Sequence, residues 1–273
     1  MAKSGPPTTM DSALQEINDF YSEIIPECEH KLINGKYGQV SVWKHAPTQK
    51  LFLKKQIKLK HYNEVEPMIH ALMKNNRYFI NLYYSVTTLK SHVLIMDFIK
   101  GGDLFDLLKS EHSLTTQETV LIVRQLCEGL YALHKHHYIH NDIKLENVMY
   151  NRYKQIYIAD YGLCKVVGQE SCYDGTVDYF SPEKIIGRDY NYHFDWWAVG
   201  ILTHELLTGT HPYKYDPDET LGVDKLEERQ QKKLVFKSNV SANAKSFIES
   251  LLKYNINYRM YKYSDIIKHS FLT

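Results

Sequence analysis

Four charged or amide side chains fall in two neighbouring segments of the chain. Asp142, Lys144 and Asn147 lie within the run His140–Asn147, and Asp160 follows at the start of an Asp-Tyr-Gly triplet. A carboxylate can accept the proton of a hydroxyl group, a lysine can offset charge on a phosphoryl group in transfer, and an amide with a second carboxylate can hold Mg²⁺. We therefore predict phosphoryl-transfer chemistry, with Asp142 and Lys144 as catalytic residues and Asn147 and Asp160 as metal ligands.

A segment with two glycines precedes these residues. Gly35 and Gly38 lie in the run 34–40, between two predicted strands. Because glycine has no side chain, its backbone amide can approach phosphate oxygens closely. A β-hairpin with two turn glycines would have the same sequence, so this segment alone leaves both interpretations open.

The elements that must position these residues change in kind along the chain. Apolar periodicity predicts a helix at 11–25, strands at 31–43, 51–59, 78–86 and 92–98, a helix at 64–74, and long helices at 116–136, 195–208 and 242–252. Strands first and helices afterwards predict an α+β chain with a small β-rich lobe and a larger, mainly helical lobe. We place the tail and first helix at 1–27, the small lobe at 28–98 and the large lobe at 99–273.

These motifs resemble those of the eukaryotic-type protein kinase superfamily over about residues 30–270. The run 140–147 corresponds to the catalytic-loop motif H-R-D-x-K-x-x-N, the triplet 160–162 to D-F-G, and the triplet 181–183 to A-P-E. Arg259 stands where the family places the arginine that pairs with the A-P-E glutamate. The resemblance implies a two-lobed protein kinase fold, with an antiparallel N-lobe that contains one helix. It also implies a protein substrate.

Within this superfamily the chain is most similar to the serine/threonine kinases of baculoviruses. The similarity rests on Leu-Ile-Asn-Gly at 32–35, on the whole run 140–147, and on Asp-Tyr-Gly-Leu-Cys-Lys at 160–165. It implies a viral protein that phosphorylates a basic, protamine-like DNA-packaging protein in the host-cell nucleus or the virion. Lys144 and Thr176 also fit the serine/threonine branch of the superfamily.

The resemblance calls for a strand lysine that holds the α- and β-phosphates of ATP, with a carboxylate partner on the next helix. Alternation places Lys55 on the apolar face of the strand 51–59 as its single cation, whereas Lys54 shares the other face with polar residues. We therefore predict Lys55 for the phosphates and a solvated strand face for Lys54. Glu66 is the predicted partner, with Glu64 as the alternative.

The resemblance also implies a surface that binds ATP with Mg²⁺ or Mn²⁺. Its predicted members are Ile33, Gly35, Gly38, Val40, Leu53, Lys55, Met96, Asp97, Ile99, Asp103 and Met149. Two of them depart from the family pattern, since Ile33 replaces the first glycine of the phosphate loop and Leu53 replaces a small alanine over the adenine. We expect a stiffer loop and a tighter pocket.

Asn141 replaces the arginine that captures a phosphate on the activation loop of many family members. The loop stretch 170–174 also has no threonine at the usual acceptor position. Without a guanidinium at this position, a loop phosphate would stabilise little. We predict activity without phosphorylation of the loop.

Three acidic residues fall where basic-substrate kinases of the family keep acids for arginines before the acceptor: Asp103, Glu146 and Glu205. Coulomb attraction from three acids that face one groove favours Arg-rich peptides. The alternative interpretation is that Asp103 binds ribose and Glu205 makes internal contacts.

The composition excludes several other classes of protein. Lys and Arg number 33 and Asp and Glu 32, so bulk charge does not support binding to nucleic acid or to an anionic membrane. Separated cysteines, a polar N-terminus and the lack of a long apolar stretch predict a soluble intracellular protein. The apolar stripe of the helix 11–25 either packs on its own domain or forms a homodimer contact.

Two alternative functions follow from the same residues. Departures from the family pattern at Ile33, Leu53, Asn141 and Tyr161 would suit a catalytically silent pseudokinase scaffold, but every residue that carries charge in the chemistry is present. A small-molecule phosphotransferase is disfavoured by the Ser-Pro-Glu triplet and Arg259, which such enzymes generally lack.

Overall fold

The computed structural model describes residues 10–27, 33–34, 38–151, 153–216, 218–236 and 240–273. The chain divides into two compact units. The first contains the chain up to Tyr62 together with Asn81–Phe98, and the second contains Asn63–Ile80 and Ile99–Thr273. The helix predicted at 64–74 therefore groups with the larger unit.

In the first unit, the described residues form an antiparallel sheet of six strands. The strands are β1 Ile24–Pro26, β2 Ile33–Asn34, β3 Gly38–His45, β4 Leu51–Lys58, β5 Leu82–Thr87 and β6 Ser91–Asp97. Their order is β1-β3-β4-β6-β5, and β2 pairs with β3. The strand predicted from residue 78 begins only at Leu82, because the chain first turns between Asn76 and Phe79.

β6 lies between β4 and β5 in the sheet and is buried along most of its length. Ser91 through Met96 are all buried, and the stretch Val93–Met96 is apolar throughout. A short continuous apolar run of this kind is typical of a strand that is covered on both faces.

The predicted N-terminal helix forms as α1, Met10–Glu23, and packs on this sheet. The ring centroid of Phe20 lies 5.4 Å from that of Phe52 and 4.7 Å from that of Tyr84. Of the two interpretations of its apolar stripe, packing on its own domain is therefore confirmed.

The second unit is mainly helical. Its helices are α2 Val65–Leu72, α3 Leu104–Glu111, α4 Thr116–His134, α5 Pro182–Ile185, α6 Tyr192–Thr208, α7 Val223–Gln230, α8 Ala242–Leu251 and α9 Tyr263–Ile266. Short strands form two antiparallel pairs, β7 Tyr138–Ile139 with β10 Lys165–Val166, and β8 Val148–Tyr150 with β9 Ile156–Ile158. Within the described parts of the chain, no helix combines the length and the apolar character that crossing a membrane requires.

α6 is buried on all sides. Every residue from His193 to Leu206 is buried, as expected for a helix that is apolar around its whole circumference. The Asn191 side chain accepts the backbone N–H of His193 at 3.3 Å and so starts the helix three residues before the predicted position. The first turn of α6 therefore brings Asp195 into the interior of the unit.

Candidate active site

Asp195 holds the backbone of the loop 140–147. Its carboxylate oxygens accept the backbone N–H groups of His140 at 2.8 Å and Asn141 at 2.9 Å, and His134 on α4 shares a 2.8 Å hydrogen bond with the same carboxylate. Burial alone would raise the pKa of Asp195, but these hydrogen bonds outweigh it and the pKa is lowered. A charged acceptor thus fixes the start of the loop.

Asp142 lies at the centre of a hydrogen-bonded cluster. Its carboxylate accepts a bond from Thr176 Oγ1 at 2.8 Å and another from Asn147 Nδ2 at 3.0 Å. Lys144 Nζ lies 3.5 Å from the same carboxylate and donates to Thr176 Oγ1 at 2.9 Å. The structure therefore brings three predicted site residues together and adds Thr176. Asp142 is 8% exposed, so these donors set the direction of its carboxylate.

Asn147 turns its amide nitrogen toward Asp142. Nδ2 donates to the Asp142 backbone oxygen at 2.7 Å as well as to the carboxylate, and neither bond uses the amide oxygen of Asn147. The backbone N–H of Ala159 donates to the backbone oxygen of Asn147 at 2.9 Å. This bond ties the residue before Asp160 to the loop that carries Asn147.

The oxygen donors of this region fit Mg²⁺ bound together with a nucleotide. A Cβ at Gly162 would lie 3.6 Å from Glu66 Oε2 and 3.8 Å from Asp160 Oδ1, so two carboxylates flank this glycine. Among the described residues, no three His, Cys, Asp or Glu side chains form a metal-binding group. Mg²⁺ needs no such group, since one or two protein carboxylates with phosphate oxygens and water complete its shell.

Tyr161 is fully buried and its hydroxyl is satisfied. It donates to the Ile158 backbone oxygen at 2.5 Å and accepts the Ile80 N–H at 3.0 Å. The ring packs 4.6 Å from that of His70 and 5.5 Å from that of Phe79. Burial holds the pKa of the phenol well above 10, so the group stays a neutral hydrogen-bonding hydroxyl.

Glu183 and Arg259 form the predicted ion pair. Arg259 Nη1 donates to Glu183, its Nε donates to the Lys253 backbone oxygen at 2.8 Å, and its guanidinium lies 4.7 Å from the Trp197 ring centroid. Both partners are buried. The pair joins α5 to the segment that follows α8.

Comparison with known proteins identifies the family. A family model described as protein kinase domain matches residues 27–272. The chain belongs to the protein kinase family. It is therefore a protein kinase, and the fold and the resemblance predicted from its sequence are confirmed. Membership implies ATP and a divalent metal ion, typically Mg²⁺.

Three of the named relatives of this kinase are baculoviral proteins called serine/threonine-protein kinase 1. It is 54% identical to serine/threonine-protein kinase 1 of Heliothis zea nuclear polyhedrosis virus over 96% of this chain and 99% of the relative. The corresponding protein of Lymantria dispar multicapsid nuclear polyhedrosis virus is 49% identical over 96% of both chains. A solved structure of the Cydia pomonella granulovirus kinase PK-1 matches with a TM-score of 0.88 and 35% identity, over 96% of this chain and 99% of that one.

The predicted phosphate-binding lysine and its partner lie in different units of the kinase. Lys55 is in β4, where the backbone register places it opposite Val40 and Leu94. Glu66 is buried on α2, beside Gly162. Their ion pair stays a prediction.

Lys54 differs from its predicted environment. Its Nζ lies 4.2 Å from the Trp43 ring centroid, and burial lowers its pKa. The predicted solvated strand face is therefore corrected to a half-buried one for Lys54, because the neighbouring strand supplies an aromatic ring that the lysine covers.

The predicted nucleotide-binding residues are spread over both units. Val40, Leu53, Met96 and Asp97 lie on β3, β4 and β6, and Asp103, Met149 and Ile99 belong to the second unit. Gly38 must be a glycine, since a Cβ there would come within 1.9 Å of the Gln56 backbone oxygen. Gly35 and the side chain of Ile33 fall outside the described residues.

The three acids proposed for substrate selection have different environments. Asp103 accepts the Asp106 N–H at 2.8 Å and so begins α3, whereas Glu146 is exposed. Glu205 is buried on α6 and accepts the Tyr179 hydroxyl at 2.5 Å, so the predicted internal contact is present. Burial, together with the charge of Glu146, raises the pKa of Glu205 to about 8 despite the hydrogen bond from Tyr179, which lowers it.

Two further residues near Asp142 were missed by the sequence reasoning. Asp174 and Lys184 both contact Asn141, from the loop after β10 and from α5. The available signal was a lysine directly after the Ser-Pro-Glu triplet. The sequence alone does not show which residues this lysine contacts.

Proposed function

We propose that this kinase transfers the γ-phosphoryl group of MgATP to serine or threonine hydroxyls of a basic, Arg-rich protein. The observation that carries the proposal is the cluster of Asp142, Lys144, Asn147 and Thr176. It combines a base for a hydroxyl proton with a cation beside that base and an amide available for a metal. This set suits phosphoryl transfer, where positioning and charge stabilisation supply most of the catalysis.

In the proposed mechanism, Asp142 orients the acceptor hydroxyl and takes its proton. Lys144 offsets the negative charge that spreads over the transferring group, and Thr176 keeps the lysine beside the carboxylate. Because Asp142 is already bonded in a fixed direction, little reorganisation is needed when the hydroxyl arrives.

Asn147 and Asp160 are the proposed metal ligands. Mg²⁺, when bound, neutralises part of the phosphate charge. Lys55 is proposed to hold the α- and β-phosphates with Glu66 as its partner, and the Gly35–Gly38 segment to cover them. Mn²⁺ is proposed as a replacement metal, since it favours the same oxygen donors.

The proposed preference for arginine rests on Asp103, Glu146 and Glu205. Burial raises the pKa of Asp103 and of Glu205, and the charge of Glu146 raises both further, so Glu146 acts electrostatically on each of the other two. Bringing like charges together is unfavourable unless a cation relieves it. A substrate guanidinium would supply that cation and pair with the acids through its fork of donors.

Purified kinase, labelled ATP with Mg²⁺ and Arg-rich serine, threonine and tyrosine peptides test this function. We expect transfer to serine and threonine, and about 10²- to 10⁴-fold loss in Asp142→Asn, which keeps the shape but removes the base. Asp265→Asn, which alters an exposed carboxylate on α9, is the control and should keep full activity. Preference for acidic peptides would refute the basic substrate, and equal activity of Asp142→Asn would refute the mechanism.

The departures from the family pattern give little support to the alternative function of a pseudokinase scaffold. Tyr161 makes two hydrogen bonds as a packed core residue, and Asn141 is held by defined partners. Neither change removes a group from the catalytic cluster. Nucleotide binding without any transfer, in the assay above, would restore this alternative.

Two minor proposals remain from the sequence. A homodimer through α1 would use the apolar side chains that the helix leaves exposed, of which Leu14 is 54% exposed. A host-nuclear or virion location is proposed from the names of the viral relatives. Light scattering of the purified protein and of the Leu14→Glu variant tests the homodimer. Fractionation of infected cells and virions tests the location.

A further inference from the structure

Lys184 is a lysine in an unusual place. It lies on α5 and is 3% exposed, and its Nζ lies 4.5 Å from the Phe180 ring centroid and 5.7 Å from that of Phe194. A buried ammonium group is costly unless charge and hydrogen bonds compensate it. The compensating partners of Lys184 therefore indicate what the lysine does.

Those partners are Asn141 and Asp174. Lys184 Nζ donates to Asn141 Oδ1 at 2.6 Å and lies 3.5 Å from Asp174 Oδ1. Asn141 completes the link, because its Nδ2 donates to the same Asp174 oxygen at 3.0 Å. An amide from the catalytic loop thus lies between a buried cation and an anion of the loop after β10.

Asp174 also receives contacts from two other elements. Tyr190 donates its hydroxyl to Oδ1 at 2.9 Å, and Lys165 Nζ, from β10, lies 3.0 Å from Oδ2. Burial would raise the pKa of Asp174, but the bonds from Asn141, Lys165 and Tyr190 and the charge of Lys184 outweigh it and the pKa is lowered. Asp174 is a carboxylate anion at neutral pH.

The anion is adjacent in sequence to the catalytic cluster. Gly175 follows Asp174, and Thr176, which bonds both Asp142 and Lys144, comes next. Gly175 has a φ of 98°, and a Cβ there would come within 3.0 Å of the Asn141 backbone oxygen. The chain between Asp174 and Thr176 is therefore tightly placed, and fixing Asp174 fixes the Thr176 hydroxyl against Asp142.

We infer that Asp174 and Lys184 are positioning residues of this kinase: their buried contact, with Asn141 between them, holds the loop after β10 in its working position without a loop phosphate. The inference rests on the proposed function, since it assigns these residues to the same phosphoryl-transfer site. It gives a physical basis for activity without loop phosphorylation, because a carboxylate of the chain itself fills the role of the anion.

The test uses full-length kinase made in bacteria, with mass spectrometry to show that it carries no phosphate. Asp174→Asn removes the anion and keeps the shape, and Lys184→Met removes the cation and keeps the chain length. We expect each to lower kcat by about 10- to 100-fold, since a misplacement of about 1 Å can cost about 10²-fold. KM for ATP should stay within about twofold of the wild-type value, because the changes do not remove an interaction that binds substrate equally in the ground state and the transition state.

Glu170→Gln is the matched control, since it makes the same change of charge at an exposed position of the same loop. It should leave kcat unchanged. A folded Asp174→Asn variant with wild-type kcat would overturn the inference, as would an equal loss in Glu170→Gln.

The double variant Asp174→Asn/Lys184→Met separates positioning from stability. Asp174→Asn leaves the buried ammonium of Lys184 without its anion and lowers Tm, whereas Lys184→Met leaves Asp174 paired with Lys165. The double variant has no buried ammonium, so its Tm should recover relative to that of Asp174→Asn. We expect kcat of the double variant to stay near that of the single variants, because the two residues act as one unit. Recovery of kcat together with Tm would show a purely structural role, and this comparison decides the matter even if a single variant does not fold.

The same assay keeps the inference apart from the proposed function. Wild-type protein that is inactive only when free of phosphate contradicts the inference alone. Wild-type protein that is inactive on serine and threonine peptides in both its phosphorylated and its phosphate-free form contradicts the proposed function.

Discussion

At the scale of single residues, Thr176 does more than mark the serine/threonine branch. Its hydroxyl donates to Asp142 and accepts from Lys144, so a single oxygen lies between the proposed catalytic base and the lysine. Removing it would let the lysine close directly on the carboxylate or swing away from it. Either change disturbs charge at the site where the phosphoryl group moves.

We therefore expect Thr176→Val, which keeps the side-chain shape, to lower kcat. Loss of a hydrogen bond to a charged group costs about 1.5–3 kcal/mol, or about 10- to 100-fold in rate. Thr176→Ser keeps the hydroxyl and should remain within about threefold of wild type. Steady-state kinetics with a saturating peptide measures both, and equal loss in the two variants would contradict this role for the hydroxyl.

Glu205 predicts a pH dependence for arginine recognition. With a pKa of about 8, its carboxyl group is mostly neutral at pH 7 and becomes an anion as the pH rises through 8. Only the anion attracts a guanidinium, so KM for an Arg-containing peptide should fall by up to about tenfold between pH 7 and pH 9. Glu205→Gln should remove this dependence, and KM for ATP serves as the internal control. A KM that rises over this range in wild type would show that Glu205 does not bind arginine.

At the scale of elements, the D-F-G position has a tyrosine whose added hydroxyl forms hydrogen bonds with neighbouring segments. Tyr161 stands where the family has phenylalanine, and its hydroxyl bridges the backbone of β9 at Ile158 to Ile80. The extra oxygen thus joins two segments that are distant in sequence.

Restoring the family residue with Tyr161→Phe should therefore destabilise this kinase. The change leaves the Ile80 N–H buried without its acceptor, at a cost of about 1–3 kcal/mol in the free energy of unfolding. Activity at low temperature should persist, because no catalytic group is altered. Urea unfolding measures the loss in the free energy of unfolding, and steady-state kinetics measures the activity. An unchanged free energy of unfolding would mean that water or another acceptor replaces the phenol.

At the scale of the whole molecule, a ligand that binds only the folded chain stabilises it. MgATP at about 100 times its Kd should add about 2.7 kcal/mol to the free energy of unfolding. If Asp160 is a metal ligand, Asp160→Asn should lose the part of this gain that depends on Mg²⁺, while Asp265→Asn keeps it. Thermal melts with MgATP and with ATP in excess EDTA make the comparison, and equal shifts for Asp160→Asn and wild type would remove Asp160 from the metal site.

Much of the site follows from spacing along the chain. Asp142, Lys144 and Asn147 lie within one short loop, so their sequence spacing nearly fixes their proximity, and the structure brings them together. The resemblance to the family predicted the Glu183–Arg259 ion pair, although the two residues are far apart in the sequence. Strand alternation located β4, yet it missed the partner of Lys54, because Trp43 comes from the neighbouring strand.

The sequence by itself determined the chemistry, the order of strands and helices, and the family, because these depend on residue types and local periodicity. The tertiary structure decided which charges are buried and against what. Lys184 meets Asn141 only through packing of α5 on the catalytic loop, and Glu205 gains its high pKa only inside α6. Burial and the local dielectric environment arise from segments far apart in the chain, and no pattern of neighbouring letters encodes them.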